Sequence, residues 1–116
     1  MISDAKRAEI KAQLADVESR EDVRVLYACE SGSRAWGFPS TDSDSDVRFI
    51  YAHPVEWYLS IRARRDVIER PLVNEIDLSG WDIKKALVLL RKSNPPLLEW
   101  LQSPTVYQQN GEFLNG

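Results

Sequence analysis

A chain of 116 residues, 43% apolar and 28% charged, is long enough for one hydrophobic core and too short for a complete two-domain enzyme. Its net charge of −3 gives no whole-molecule field that gathers polyanions, so any site for nucleic acid or triphosphate has to be local. The single cysteine, Cys29, excludes an internal disulfide, and no uncharged run approaches the roughly 18 residues of a membrane span, which together lead us to expect a cytoplasmic protein.

From about Asp4 to Glu18, Ile10, Leu14 and Val17 recur at helical spacing among charged residues and predict an amphipathic helix on one face of a sheet. Val23 to Cys29 is β-branched and aromatic, bounded by charge before and Ser-Gly-Ser after, and reads as a buried strand with Cys29 as small apolar filling. Arg34 to Gly37 has room for one helical turn, and Phe38 to Thr41 reads as a loop. Alternation of Val47, Phe49 and Tyr51 with polar neighbours predicts a strand from about Asp44 to Tyr51, ended by Pro54, and Val55 to Ile61 predicts a short helix.

Beyond a basic connection at Arg62, Arg64 and Arg65, Asp66 to Glu69 and Val73 to Leu78 predict two further strands. Ser79 or Asp82 can cap a helix to about Lys92 with Ile83, Leu87 and Leu90 on one stripe, and Asn94-Pro95-Pro96 stops it. Leu97 to Leu101 suggests a last helix and Ser103 to Tyr107 an extended piece. Residues 1–107 thus form one domain, and 108–116, poor in apolar side chains, read as a flexible tail or the edge of a truncation.

One stretch is hard to explain by folding alone: Gly32-Ser33-Arg34, a spacer, then Asp42-Ser-Asp44-Ser-Asp46-Val-Arg-Phe. Asp44 and Asp46 lie two apart in a strand-like alternation, so their carboxylates leave the same face. Such a pair repels unless a cation lies between, and hard oxygen donors suit Mg²⁺ or Mn²⁺. The glycine lets backbone approach a ligand closely, and N–H groups opening the following turn, with the Ser33 hydroxyl, can hold a phosphate. A calcium loop counted from Asp42 fails, since its glycine and glutamate positions hold Val47 and His53.

Gly32-Ser33, ten residues, then Asp44-Ser45-Asp46 with Val47 and Phe49 behind resembles the signature of the DNA polymerase β-like nucleotidyltransferase superfamily. Asp77-Leu-Ser-Gly-Trp-Asp82, Asn94-Pro-Pro-Leu-Leu-Glu-Trp-Leu and Ser103-Pro-Thr-Val-Tyr107 are similar to its RNA-ligase-associated branch, over most of residues 25 to 107. Members of that branch are longer, with a mainly helical C-terminal part, so this chain looks like the catalytic half. The resemblance implies an α+β fold with a mixed, mostly antiparallel sheet flanked by helices. It also implies a third carboxylate on a neighbouring strand, for which Asp77 is the choice by motif position and Glu75 the rival.

The expected activity is Mg²⁺- or Mn²⁺-dependent transfer of a nucleoside monophosphate from an NTP to an acceptor hydroxyl, with Asp44, Asp46 and Asp77 as metal ligands and catalytic groups. Gly32, Ser33 and Arg34 are the candidate nucleotide contacts. An RNA 3′ end in repair is the acceptor the resemblance implies. A protein or small-molecule acceptor, or a non-catalytic nucleotide-binding module of antitoxin type, are the alternatives. Arg48 shares the face of Asp46 and reads as its charge balance, Trp36 and His53 as structural residues, and Asp42 as a loop cap rather than a ligand.

Overall fold

The N-terminal amphipathic pattern forms α1, Asp4–Glu21, in a computed structural model that describes residues 4–31, 45–59, 66–73 and 76–109. Ile10, Leu14 and Val17 are fully enclosed against the sheet. Burying three such side chains stabilises docking by about 1.5–3 kcal/mol each. Asp22, with φ of 53°, ends the helix. The Glu18 carboxylate then accepts the Val25 N–H at 2.8 Å, fixing how the chain enters the sheet. At the other end Arg7 Nη1 donates to the Val106 carbonyl at 3.1 Å.

Five strands follow: β1 Arg24–Glu30, β2 Ser45–Ala52, β3 Val67–Val73, β4 Ile76–Asp82 and β5 Val106–Gln109. Their spatial order is β3-β4-β2-β1-β5. β1 is antiparallel to both β2 and β5, and β3 to β4, while β2 and β4 run parallel. The sheet is therefore mixed and mostly antiparallel, as expected. α2, Val55–Tyr58, follows β2; α3, Ile83–Arg91, and α4, Pro95–Gln102, follow β4.

Strand alternation sends side chains to two cores. Val47, Phe49, Tyr51, Ile76 and Leu78 face α1, where Ile10, Leu14 and Val17 meet them. Tyr27, Cys29 and Ile50 face α3 and α4, packing on Ala86, Leu97 and Trp100. There Trp81 stacks on Trp100, centroids 4.1 Å apart, and the Tyr27 hydroxyl donates to the Trp100 carbonyl at 2.7 Å. Burial and then the neighbouring Glu30 charge push the Cys29 thiol up to about 12, so it is the enclosed, unreactive residue expected.

Three boundaries differ from the sequence reading. Val73 closes β3 instead of opening the next strand, and β4 continues through Ser79-Gly80-Trp81 to Asp82. Ser79 is therefore a strand residue, and Asp82 alone caps α3, accepting the Lys84 N–H at 2.8 Å. Gly80 passes as a strand residue because the Phe49 ring occupies the place of its missing Cβ. On α3 it is Ala86 that is buried, with Ile83 and Leu89 partly so, whereas Leu87 and Leu90 are about half exposed. Gln108 and Gln109, read as tail, belong to β5, and Gln108 Nε2 donates to the Val25 carbonyl at 2.9 Å.

Candidate functional site

Seven residues of β2 and β4 pair without a slip, from Ser45 opposite Ile76 to Tyr51 opposite Asp82. This register sets Asp46 directly beside Asp77. Cross-strand neighbours in register point to the same side, so both carboxylates leave the α3/α4 face at the N-terminal ends of their strands. Both residues are partly buried. Among the described residues no hydrogen bond or ion pair reaches the Asp46 carboxylate. Ser31 donates to the Asp46 carbonyl through its N–H at 2.8 Å and its hydroxyl at 3.3 Å, which holds the end of β1 beside Asp46.

Arg48 does not balance Asp46, as the sequence suggested. Its Nη2 lies 3.2 Å from Asp77 Oδ2, and its Nη1 donates to the Val47 and Asp77 carbonyls at 3.1 and 3.3 Å. Only a non-local strand register could reveal that partner. The sequence reading also missed Glu30. This carboxylate is 1% exposed; Oε2 accepts the Asp46 N–H at 2.8 Å and Oε1 the Tyr107 hydroxyl at 2.7 Å. A lone glutamate ending an otherwise apolar strand, Val-Leu-Tyr-Ala-Cys-Glu, was the available signal. It positions the Asp46 backbone and ties β1, β2 and β5 together at this end of the sheet.

Of the expected site residues, Asp46 and Asp77 are brought together. Gly32, Ser33, Arg34, Asp42, Asp44 and Glu75 lie outside the described residues, as do Trp36 and the basic cluster Arg62, Arg64 and Arg65. Among the described residues no group of three or more His, Cys, Asp or Glu side chains is arranged to hold a metal. The described pair does fit a hard cation in kind. It offers adjacent carboxylates, one of them already drawing the nearest guanidinium.

The opposite ends of the same strands carry a second cluster. Asp82, 1% exposed, accepts the Tyr58 hydroxyl and faces His53 Nδ1 through Oδ2, each at 3.0 Å, while Oδ1 serves the α3 cap. The His53 ring stacks on Trp57 at 3.7 Å, and the His53 N–H donates to the Tyr58 hydroxyl oxygen at 2.9 Å. Burial, then the Asp82 contact, pushes the Tyr58 hydroxyl above its usual range, against the His53 backbone bond that lowers it. His53 is thus built into the fold, as its place beside Pro54 suggested.

A family model described as the RNA repair pathway DNA polymerase beta family matches residues 7–115, nearly the whole chain. The chain belongs to this family. In the curated set, "Uncharacterized protein YcgL" of Bacillus subtilis (strain 168) is 58% identical over 97 residues, covering 84% of this chain and 37% of that relative. The chain therefore spans somewhat over a third of the relative's length. No solved structure matches. Membership in the polymerase β-like family makes the chain nucleotidyltransferase-related, and the sheet just described agrees with that family's fold. No helix among the described residues is long and apolar enough to cross a membrane.

Proposed function

We propose that this chain is the catalytic domain of a divalent-metal-dependent nucleotidyltransferase, transferring a nucleoside monophosphate from an NTP to an acceptor hydroxyl. The observation that carries the reading is the in-register Asp46–Asp77 pair, with the Asp46 carboxylate unpartnered among the described residues, at the strand end where Ser31 bonds the Asp46 carbonyl. A partly exposed carboxylate without a partner contributes nothing to the fold that a neutral residue would not.

Asp46 and Asp77, with Asp44 two residues before Asp46 in the sequence, would hold Mg²⁺ or Mn²⁺. Such a cation, when bound, neutralises phosphate charge and acidifies a nearby hydroxyl. Gly32 and Ser33 would grip the outer phosphates through backbone N–H groups and a hydroxyl, with Arg34 beside them. Asp77, or a solvent molecule it orients, would take the proton from the acceptor hydroxyl. The acceptor oxygen then bonds to the α-phosphorus, the bond to the β-bridging oxygen breaks, and pyrophosphate departs with that electron pair. The family description names an RNA repair pathway, which supports RNA as the acceptor class, and we take its 3′ hydroxyl as the acceptor group.

The test is to incubate the chain with each α-labelled NTP, Mg²⁺ or Mn²⁺, and a mixed pool of RNA and protein. We expect label on RNA 3′ ends that disappears in Asp46→Asn. Label on protein instead would replace the RNA acceptor while keeping the chemistry. Nucleotide binding without any transfer would reassign the chain as a binding module, and binding that is unchanged in Asp46→Asn would sink the carboxylate site.

A further inference from the structure

Arg48 stands opposite Ser79 in the β2–β4 register, yet its guanidinium is bound two residues back, at Asp77. The side chain is turned toward the N-terminal ends of the strands, where the carboxylates lie. It is anchored there by two backbone carbonyls and one carboxylate oxygen, and it shares its sheet face with Asp46. A divalent cation entering between Asp46 and Asp77 would meet like-charge repulsion from this guanidinium and would compete with it for the same Asp77 oxygen. The two charges are 23% and 43% exposed, so the ion pair is screened and weak enough to give way to an ion of twice the charge.

We propose that Arg48 is the resident counter-ion of Asp77: it holds that carboxylate while the site is without metal, yields its oxygen to the entering divalent cation, and turns its freed guanidinium to the polyphosphate that arrives with the metal. The inference rests on the metal-site reading above and gives Arg48 a role in that site. Its chemistry is an exchange of one cation for another at a fixed anion, with no bond made or broken covalently. A guanidinium suits both stations, since its planar fork bonds carboxylate and phosphate oxygens alike. Arg48 offsets the Asp77 charge before metal arrives, and the exchange leaves a phosphate donor beside the cation afterwards.

Calorimetry or electron paramagnetic resonance with Mn²⁺ alone reads the first half, without turnover. Removing a screened competitor by Arg48→Gln should tighten Mn²⁺ binding about two- to fivefold. Arg48→Lys, which keeps the charge and loses the fork, should fall between. With Mn²⁺ saturating, affinity for inorganic tripolyphosphate should drop about tenfold or more in Arg48→Gln, the scale of one charge-assisted hydrogen bond. Thermal unfolding of each variant confirms that it remains folded. Unchanged or weaker Mn²⁺ binding in Arg48→Gln, or unchanged tripolyphosphate affinity, overturns the exchange. Asp46→Asn separates the two levels. If wild type binds Mn²⁺ no better than Asp46→Asn, the metal site itself falls and the exchange with it. If Mn²⁺ binding depends on Asp46 and ignores Arg48, only the exchange falls.

Discussion

The parallel pair β2 and β4 carries an aspartate cluster at each end, and the two are built to opposite specifications. At the C-terminal end, Asp82 is enclosed and serves three donors, the Lys84 N–H, His53 and Tyr58. At the N-terminal end, Asp77 is partly exposed and held by one displaceable arginine, while the Asp46 carboxylate has no protein partner among the described residues. A buried carboxylate has to be satisfied or the fold pays its desolvation. An exposed and under-satisfied one costs little and stays available. Satisfaction, rather than residue type, separates the aspartate that builds from the aspartates we propose to act.

That contrast breaks most visibly in stability. Asp82→Ala leaves two side-chain donors and one backbone donor without their acceptor and should cost about 3 kcal/mol. Asp46→Asn should stay within about 0.5 kcal/mol of wild type, the range for a substitution that removes no contact among the described residues. Urea denaturation of the two variants side by side measures both. Equal losses would erase the distinction between the ends. Next in size is Gly80→Ala, which forces a Cβ into the Phe49 ring and should cost about 1–3 kcal/mol by overpacking. A Phe49→Leu background should recover part of it.

Alkaline titration sharpens the comparison from the core side. Burial raises the Cys29 thiol from 9.0 to about 12 and the Tyr27 hydroxyl from 10.0 to about 12. The folded state keeps protons that the unfolded chain releases. Their stabilisation is therefore complete below pH 9 and declines as pH climbs through the interval to about 12. Urea midpoints should hold up to about pH 9 and fall steadily above it, and Cys29→Ala should flatten the earliest part of the decline. The smallest effect is expected at Ser45, whose buried hydroxyl has no hydrogen-bond partner among the described residues. Ser45→Ala should leave the urea midpoint unchanged or slightly raised, since replacing an unpaired polar group by a methyl is near neutral. A clear drop would mean the hydroxyl is bonded after all.

Local patterns were readable in the sequence wherever one face of an element is apolar. Ile10, Leu14 and Val17 on α1, and Val47, Phe49 and Tyr51 on β2, follow their helical and strand periods into the core. β4 was cut short because Ser79-Gly80 has the composition of a turn, and the Phe49 ring that makes Gly80 a good strand residue comes from another strand. Beyond Ile83 the α3 stripe was misplaced by one residue for a similar reason. Size favoured Leu87 and Leu90, but close packing near Trp81 and Trp100 selected Ala86. Asp46 was found from its own neighbours, and Asp77 through resemblance. Their adjacency, the Arg48 contact and the Glu30 brace all depend on which strands pair, which no short-range pattern encodes.

The unslipped β2–β4 register has a consequence for how such a site tolerates change. The close packing of Val47, Phe49, Leu78 and Gly80 on the reverse side of the sheet favours this register over its neighbours. A shift of one residue would carry Leu78 to the place of Asp77 and turn the carboxylate into the core. The chemistry of one side is thus indexed by the packing of the other. Substitutions at the carboxylates would silence the site while sparing the fold, whereas substitutions behind them would move the site without touching it.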